Sequence, residues 1–357
     1  MSEQANVLDI LSSVPVNVMN LSVPQAYKGG EARVLVIGDL HLSDKYSGRH
    51  VDYFRDCVEF LEQITKEIKE KKITHLILTG DLIGRHNEKN LEHLESYLFV
   101  MKILQLWNDL TNGNVYSARG NHDYGKHLTD FEVFVSLGYI KVVDTLDVGS
   151  IRFHMLHYGG HDRVIEVDEE KYNVAIMHTE LHVEGLTGWF FRSPEGVELS
   201  SLENLYGVEL VLAGHIHTPS EKLVQTSIKD KTVSLFYPGN GTRPTKERNL
   251  WEHCFGVYLK TDEKNVDFEQ ITFSLRPVSE IFTSTFDDIV EAEEVEEEED
   301  KPTFDVELLA SIIDELNNYN VVGEGSFKEQ ITAFGGLDKE AVDLALDIIA
   351  QIETEMK

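Results

Sequence analysis

Five of the short apolar runs in this chain stop at a turn and are followed at once by side chains able to hold a cation. The first ends in Gly38-Asp39-Leu40-His41, the second in Gly80-Asp81 and the third in Gly120-Asn121-His122-Asp123. Two later runs end in Ile176-Met177-His178 and Ala213-Gly214-His215-Ile216-His217. The runs are rich in Val, Ile and Leu. They span 34–38, 75–79, 115–119, 151–158, 174–178 and 210–214, with two more at 233–237 and 255–259. Runs this short and this continuous describe strands covered on both faces. Helical patterns separate the early ones: Phe54, Val58, Leu61, Ile64 and Ile68 recur at helix spacing within 51–71, and 91–106 repeats the pattern. Buried strands alternating with crossover helices imply a layered α/β domain. In such folds ligands bind in the crevice beyond the carboxyl ends of the strands, so the five polar turns are expected to converge.

Carboxylate, imidazole and amide donors without a thiolate suit Mn2+, Fe or Zn2+. The D-x-H and H-x-H spacings fit a shared site, because residues i and i+2 of an extended segment project to the same side. A Gly-Asp at the end of a strand is, taken alone, usually only a turn. Five such turns in one chain leave that reading little room. The other histidines are scattered and read as surface or hydrogen-bonded core residues, with His86 and His182 nearest the motifs.

Together the five motifs resemble the calcineurin-like metallophosphoesterase superfamily, over roughly residues 33–259. The resemblance implies a four-layer αββα sandwich and a centre for two divalent metal ions, with Mn2+ expected. It implies that Asp39, His41, Asp81 and His217 hold one ion and that Asp81, Asn121, His178 and His215 hold the other, Asp81 bridging. It also implies that His122 protonates the leaving oxygen. Two cations roughly 3.5–4 Å apart neutralise a phosphodiester and activate a water in line with the leaving group.

The substrate is a separate matter, because one such site serves many phosphoesters. The run Tyr237-Pro238-Gly239-Asn240-Gly241-Thr242-Arg243 resembles the PGS-x-x-R signature of SbcD-type DNA repair nucleases, with Asn240 in place of serine. That resemblance implies a metal-dependent DNA nuclease, Arg243 as a substrate-binding residue, and an SbcC-like coiled-coil ATPase as partner. Three residues after Asp81 stands Gly84, where protein phosphatases carry an aspartate that orients the catalytic histidine. His86 or Asp123 is left for that task. The competing reading is a phosphodiesterase or phosphatase for small nucleotides or phosphoproteins. A noncatalytic binding protein fits poorly, since every presumed ligand position is filled.

The domain is expected to cover 31–281, including a short β extension, after an N-terminal extension at 1–30. Residues 287–300 hold ten acids and no base, which reads as a solvated linker within 282–302. Beyond it, Phe304, Leu308, Ile312, Leu316 and Tyr319 share a helical face, and two further short helices follow. This small C-terminal helical region, 303–357, is the expected partner-binding segment. Residues 282–357 carry 22 acids against four lysines, leaving 41 acids against 28 bases in residues 1–281. An acidic surface repels polyanions, so DNA is expected to be held by metals, local patches or the partner. Cys57 and Cys254 are far apart and outside any CxxC pair, which points to a reducing, cytoplasmic setting without a disulfide. No run approaches membrane-spanning length. A homodimer is left open.

Overall fold

The structure, a computed structural model, describes residues 32–44, 53–84, 91, 93–125, 129–183, 196–243, 251–261 and 266–281. The N-terminal extension, His86, the acidic linker and the expected C-terminal helices lie outside the described residues.

The elements in chain order are β1 (Ala32–Ile37), α1 (Tyr53–Glu70), β2 (His75–Leu78), α2 (Leu94–Thr111), β3 (Val115–Ser117), α3 (Asp130–Ser136), β4 (Thr145–Val148) and β5 (Ile151–Leu156). There follow β6 (Tyr172–His178), β7 (Leu181–His182), β8 (Val197–Glu198), β9 (Leu210–Gly214), β10 (Val224–Ile228), β11 (Lys231–Phe236), β12 (His253–Thr261), β13 (Val266–Ser274) and α4 (Val278–Ile281). One sheet has the order β13-β12-β1-β2-β3 and the other β10-β11-β9-β6-β5-β4. Within the first, β1, β2 and β3 are parallel and α1 and α2 make the crossovers. Within the second, β5, β6, β9 and β11 are parallel.

The period-2 alternation of side chains explains why these strands read as unbroken apolar runs. In β1, Leu35 and Ile37 pack against α1 and α2, while Val34 and Val36 face the second sheet. In β6, Val174 and Ile176 face the first sheet, while Ala175 and Met177 face outward onto Leu199, Leu202 and Leu205. Both sheets are therefore covered on both faces, giving the expected α/β sandwich. Among the described residues the outer cover of the second sheet is made by two short 3-10 helices, Leu199–Ser201 and Glu203–Leu205.

The sequence pattern misses α3 and the edge strands β4 and β10. The helix is announced only by its capping box, in which the Thr129 hydroxyl accepts from the Glu132 N–H and Glu132 reaches back to the Thr129 N–H. The two edge strands have few buried residues and so no apolar run. Residues 266–274 form β13, which pairs antiparallel with the whole of β12 as the outer strand of the first sheet.

Candidate metal centre

The carboxyl ends of β1, β2 and β3 meet those of β6 and β9 across the sandwich. Backbone hydrogen bonds fasten the loops there. The amides of Leu40 and His41 both donate to the Asp81 carbonyl at 3.1 and 2.9 Å, and Leu42 donates to Leu82 at 2.8 Å. On the other sheet the Asn240 amide donates to the His217 carbonyl at 2.9 Å. Three non-glycine residues of the site, His41, Asp81 and His215, have positive φ values of 45°, 47° and 81°. Each such residue costs on the order of 1–3 kcal/mol, a strain that persists where surrounding structure over-determines the backbone.

All eight expected side chains come together. Asp39, His41, Asp81 and His178 are buried and form the floor, while Asn121, His122, His215 and His217 are half-buried and form the mouth. His41 Nε2 lies 3.0 Å from His217 Nε2 and 3.5 Å from Asp81 Oδ2. His178 Nε2 lies 3.1 Å from Asp81 Oδ2 and 2.9 Å from Asn121 Oδ1, and His215 Nδ1 lies 3.1 Å from the same amide oxygen. His122 stands edge-on to His41, with ring centroids 4.8 Å apart, its Nε2 3.9 Å from Asp81 Oδ2 and its amide donating to Asp81 Oδ1 at 2.8 Å.

The chemistry of this donor set fits cations. His178 Nδ1 is 3.2 Å from the Thr79 carbonyl, which can only accept, so Nδ1 carries the hydrogen and Nε2 is aimed at Asp81 and Asn121. With a neutral ring, three acceptors then confront one another unless positive charge lies among them. Without metal a second proton takes that place: burial depresses His178, but Asp81 and Asp39 outweigh it and raise its pKa to about 9. For Asp81 burial opposes ionisation, yet His178, then His41 and His122, hold the carboxyl well below the usual range. Burial pushes His41 well below its ordinary value and His215 down to about 4, leaving both rings neutral with lone pairs to offer. Two carboxylates at 1 % exposure each carry a desolvation penalty of several kcal/mol, which nearby cations offset. Ligand atoms lie within 4.8 Å of one another in three groups: Asp39, His41 and His217; Asp39, Asp81 and His178; and His41, Asp81 and His122.

Several supporting residues stand within or beside the strand-end motifs, and the structure shows what each one holds. Thr79 donates its hydroxyl to Asp39 Oδ1 at 3.1 Å, and the His215 amide donates to Asp39 Oδ2 at 2.8 Å, so both carboxylate oxygens are oriented. A Cβ on Gly120 would come within 2.0 Å of Asp81 Oδ1, and one on Gly214 within 2.3 Å of Asp39 Oδ1. Glycine is required at both positions for close approach. Asp123, whose pKa burial and then the Asp81 charge raise to about 8, accepts from the backbone amides of Gly120 and Ile83 and so shapes the turn bearing Asn121 and His122.

Arg243 requires a correction. It is 1 % exposed, and its guanidinium donates to the carbonyls of Trp251 at 2.9 Å and Arg276 at 2.6 Å, so it ties chain segments together instead of meeting substrate. The run that contains it is likewise a brace. Asn240 Oδ1 receives the Thr242 amide at 2.7 Å, and the Tyr53 hydroxyl lies 2.7 Å from Thr242 Oγ1 and 2.8 Å from the His41 carbonyl. Arg243→Ala is therefore expected to lower stability by about 3 kcal/mol, since two carbonyls lose a charged donor. The shift would appear in the denaturant midpoint, with the KM for a small phosphodiester unchanged.

The family model for calcineurin-like phosphoesterases matches residues 32–219, just over half of the chain. Among curated proteins none matches significantly. Purple acid phosphatase PPD1 from yellow lupin (Lupinus luteus) seeds is similar with a TM-score of 0.43 and 15% identity, over 68% of this chain and 52% of that chain. The chain thus spans about half the length of the lupin enzyme. GAP50, the anchor in the inner membrane complex of Plasmodium, is similar with a TM-score of 0.40 and 11% identity, over 69% and 89% of the two chains. A single mutant of Vps29 from Entamoeba histolytica has a TM-score of 0.32 and 16% identity, over 68% and 99%. No described helix is long and apolar enough to cross a membrane.

Proposed function

Since this chain belongs to the calcineurin-like phosphoesterase family, we propose that it is a DNA nuclease that hydrolyses phosphodiester bonds at this centre with two Mn2+ ions, in a cytoplasmic setting. The observation that carries the reading is the convergence of eight ligand-type side chains from five strand ends. The nuclease assignment rests on the resemblance of the Tyr237 to Arg243 run to the SbcD-type signature, while the run itself braces the loops bearing His41 and His217. An SbcC-like coiled-coil ATPase is the proposed partner, bound through residues 303–357 on the strength of their amphipathic pattern.

Asp39, His41, Asp81 and His217 would hold one ion; Asp81, Asn121, His178 and His215 would hold the other. The ions supply Lewis-acid charge to the phosphoryl oxygens and to the attacking water. The protein supplies the geometry. Thr79 and the His215 amide fix Asp39, the His122 amide fixes Asp81, and the Thr79 carbonyl sets the tautomer of His178. His122, at the mouth with a quarter of its side chain exposed, would donate a proton from its ring to the departing oxygen.

The test is incubation of the full chain with Mn2+ and labelled duplex or single-stranded DNA, with and without the ATPase. Metal-dependent cleavage is expected, increased by the partner. The acidic excess in residues 1–281 favours a second reading, a phosphodiesterase or phosphatase for small nucleotides or phosphoproteins. DNA left intact while a small diester is turned over would select it.

A further inference from the structure

Tyr158 closes one side of the mouth and has no part in the chemistry described above. Its ring centroid lies 6.3 Å from that of His178 and 6.0 Å from that of His215, and the residue is 41% exposed. Among the described residues its hydroxyl makes no hydrogen bond, so nothing polar determines where the ring sits. Its backbone is tethered instead: the Tyr158 amide donates to the Arg119 carbonyl at 2.9 Å, two residues before Asn121. The neighbouring His157 ring accepts from the Arg119 amide at 3.1 Å. Gly159 and Gly160 follow, with no neighbour of Gly159 within 4 Å of where a side chain would begin. On the far side of the same loop Tyr124 is also exposed, its ring 5.6 Å from the Arg119 guanidinium. An aromatic face is thus anchored against the loop of Asn121 and His122 and left open beside the imidazoles that would grip a phosphate.

A scattered exposed tyrosine needs no explanation. One held against two ligand-type imidazoles at the mouth of a phosphoester site does, because whatever is attached to the phosphate must pass it. We propose that Tyr158 is a binding residue that stacks a nucleobase of the substrate, so that the site prefers nucleotide phosphodiesters to those with aliphatic groups. This rests on the proposed hydrolysis of phosphodiesters at this centre and adds the residue that selects nucleotide substrates. Base stacking on an aromatic ring is sequence-tolerant, since every base offers a π-face. It also suits an acidic protein, which cannot draw affinity from broad counterion release.

The test compares two diesters with the same leaving group, the p-nitrophenyl ester of thymidine 5′-phosphate and methyl p-nitrophenyl phosphate, in the Mn2+-loaded full chain. Tyr158→Ala is expected to raise KM for the thymidine ester by on the order of tenfold with kcat little changed, and to leave the methyl ester unaffected. Tyr158→Phe should behave as wild type. Equal effects on both esters, or no effect on either, would overturn the assignment. A readout without turnover separates this from the hydrolase reading: thymidine 5′-monophosphate should bind wild type more tightly than inorganic phosphate, and Tyr158→Ala should erase the difference. Binding that is equal in wild type, or a preference that survives in Tyr158→Ala, overturns the stacking role. Failure of wild type to hydrolyse either ester counts against the phosphodiesterase reading alone.

Discussion

Replacing His122 with alanine is expected to leave both metal sites filled and to slow DNA cleavage by about 10²–10⁴, the usual worth of a general acid. The size should depend on the leaving group. A deoxyribose alkoxide needs a proton as the P–O bond breaks, whereas p-nitrophenolate leaves readily without one. The variant should therefore be crippled on DNA and far less so on an aryl diester. The geometry also allows His122 to be a ligand, because its Nε2 joins His41 and Asp81 in one of the three close groups. Metal content decides between the roles. Loss of an ion in His122→Ala, with equal damage on both substrates, would make it a ligand and remove it as the acid.

Asp81→Asn is expected to lose metal and activity together. Asp81 is 1 % exposed, and its Oδ2 lies 3.1 Å from His178, 3.5 Å from His41 and 3.9 Å from His122, so it sits between the two halves of the centre. The amide keeps the shape but removes the shared negative charge. Removing an outer partner of a ligand typically costs about 10–100-fold in metal affinity, so loss of a bridging charge should exceed that. Equilibrium dialysis against Mn2+ measures it. Wild-type metal content in Asp81→Asn would remove Asp81 from its bridging place whatever the activity.

These two residues were readable in the sequence because each terminates a strand buried on both faces, and such a strand announces its own end. Asp39, His41, Asn121, His178, His215 and His217 were readable for the same reason. The layered sandwich followed from the same runs, with β9 matching residue for residue at 210–214. The edge strands β4 and β10 carry no such signal: β10 buries one residue firmly in five, and β4 one in four. The contacts that brace the centre were hidden for another reason. Thr79, Gly120 and Gly214 act on side chains 40, 39 and 175 residues away in sequence, which no local pattern encodes. Arg243 shows the converse. Its place in a motif suggested substrate, but burial commits its guanidinium to two carbonyls.

Titrating Mn2+ into metal-free protein while following p-nitrophenolate release from methyl p-nitrophenyl phosphate tests the dinuclear hydrolase most directly. The rate should be nil without metal and should reach its plateau at two equivalents per chain. A plateau at one equivalent, or hydrolysis undiminished by chelator, would contradict it.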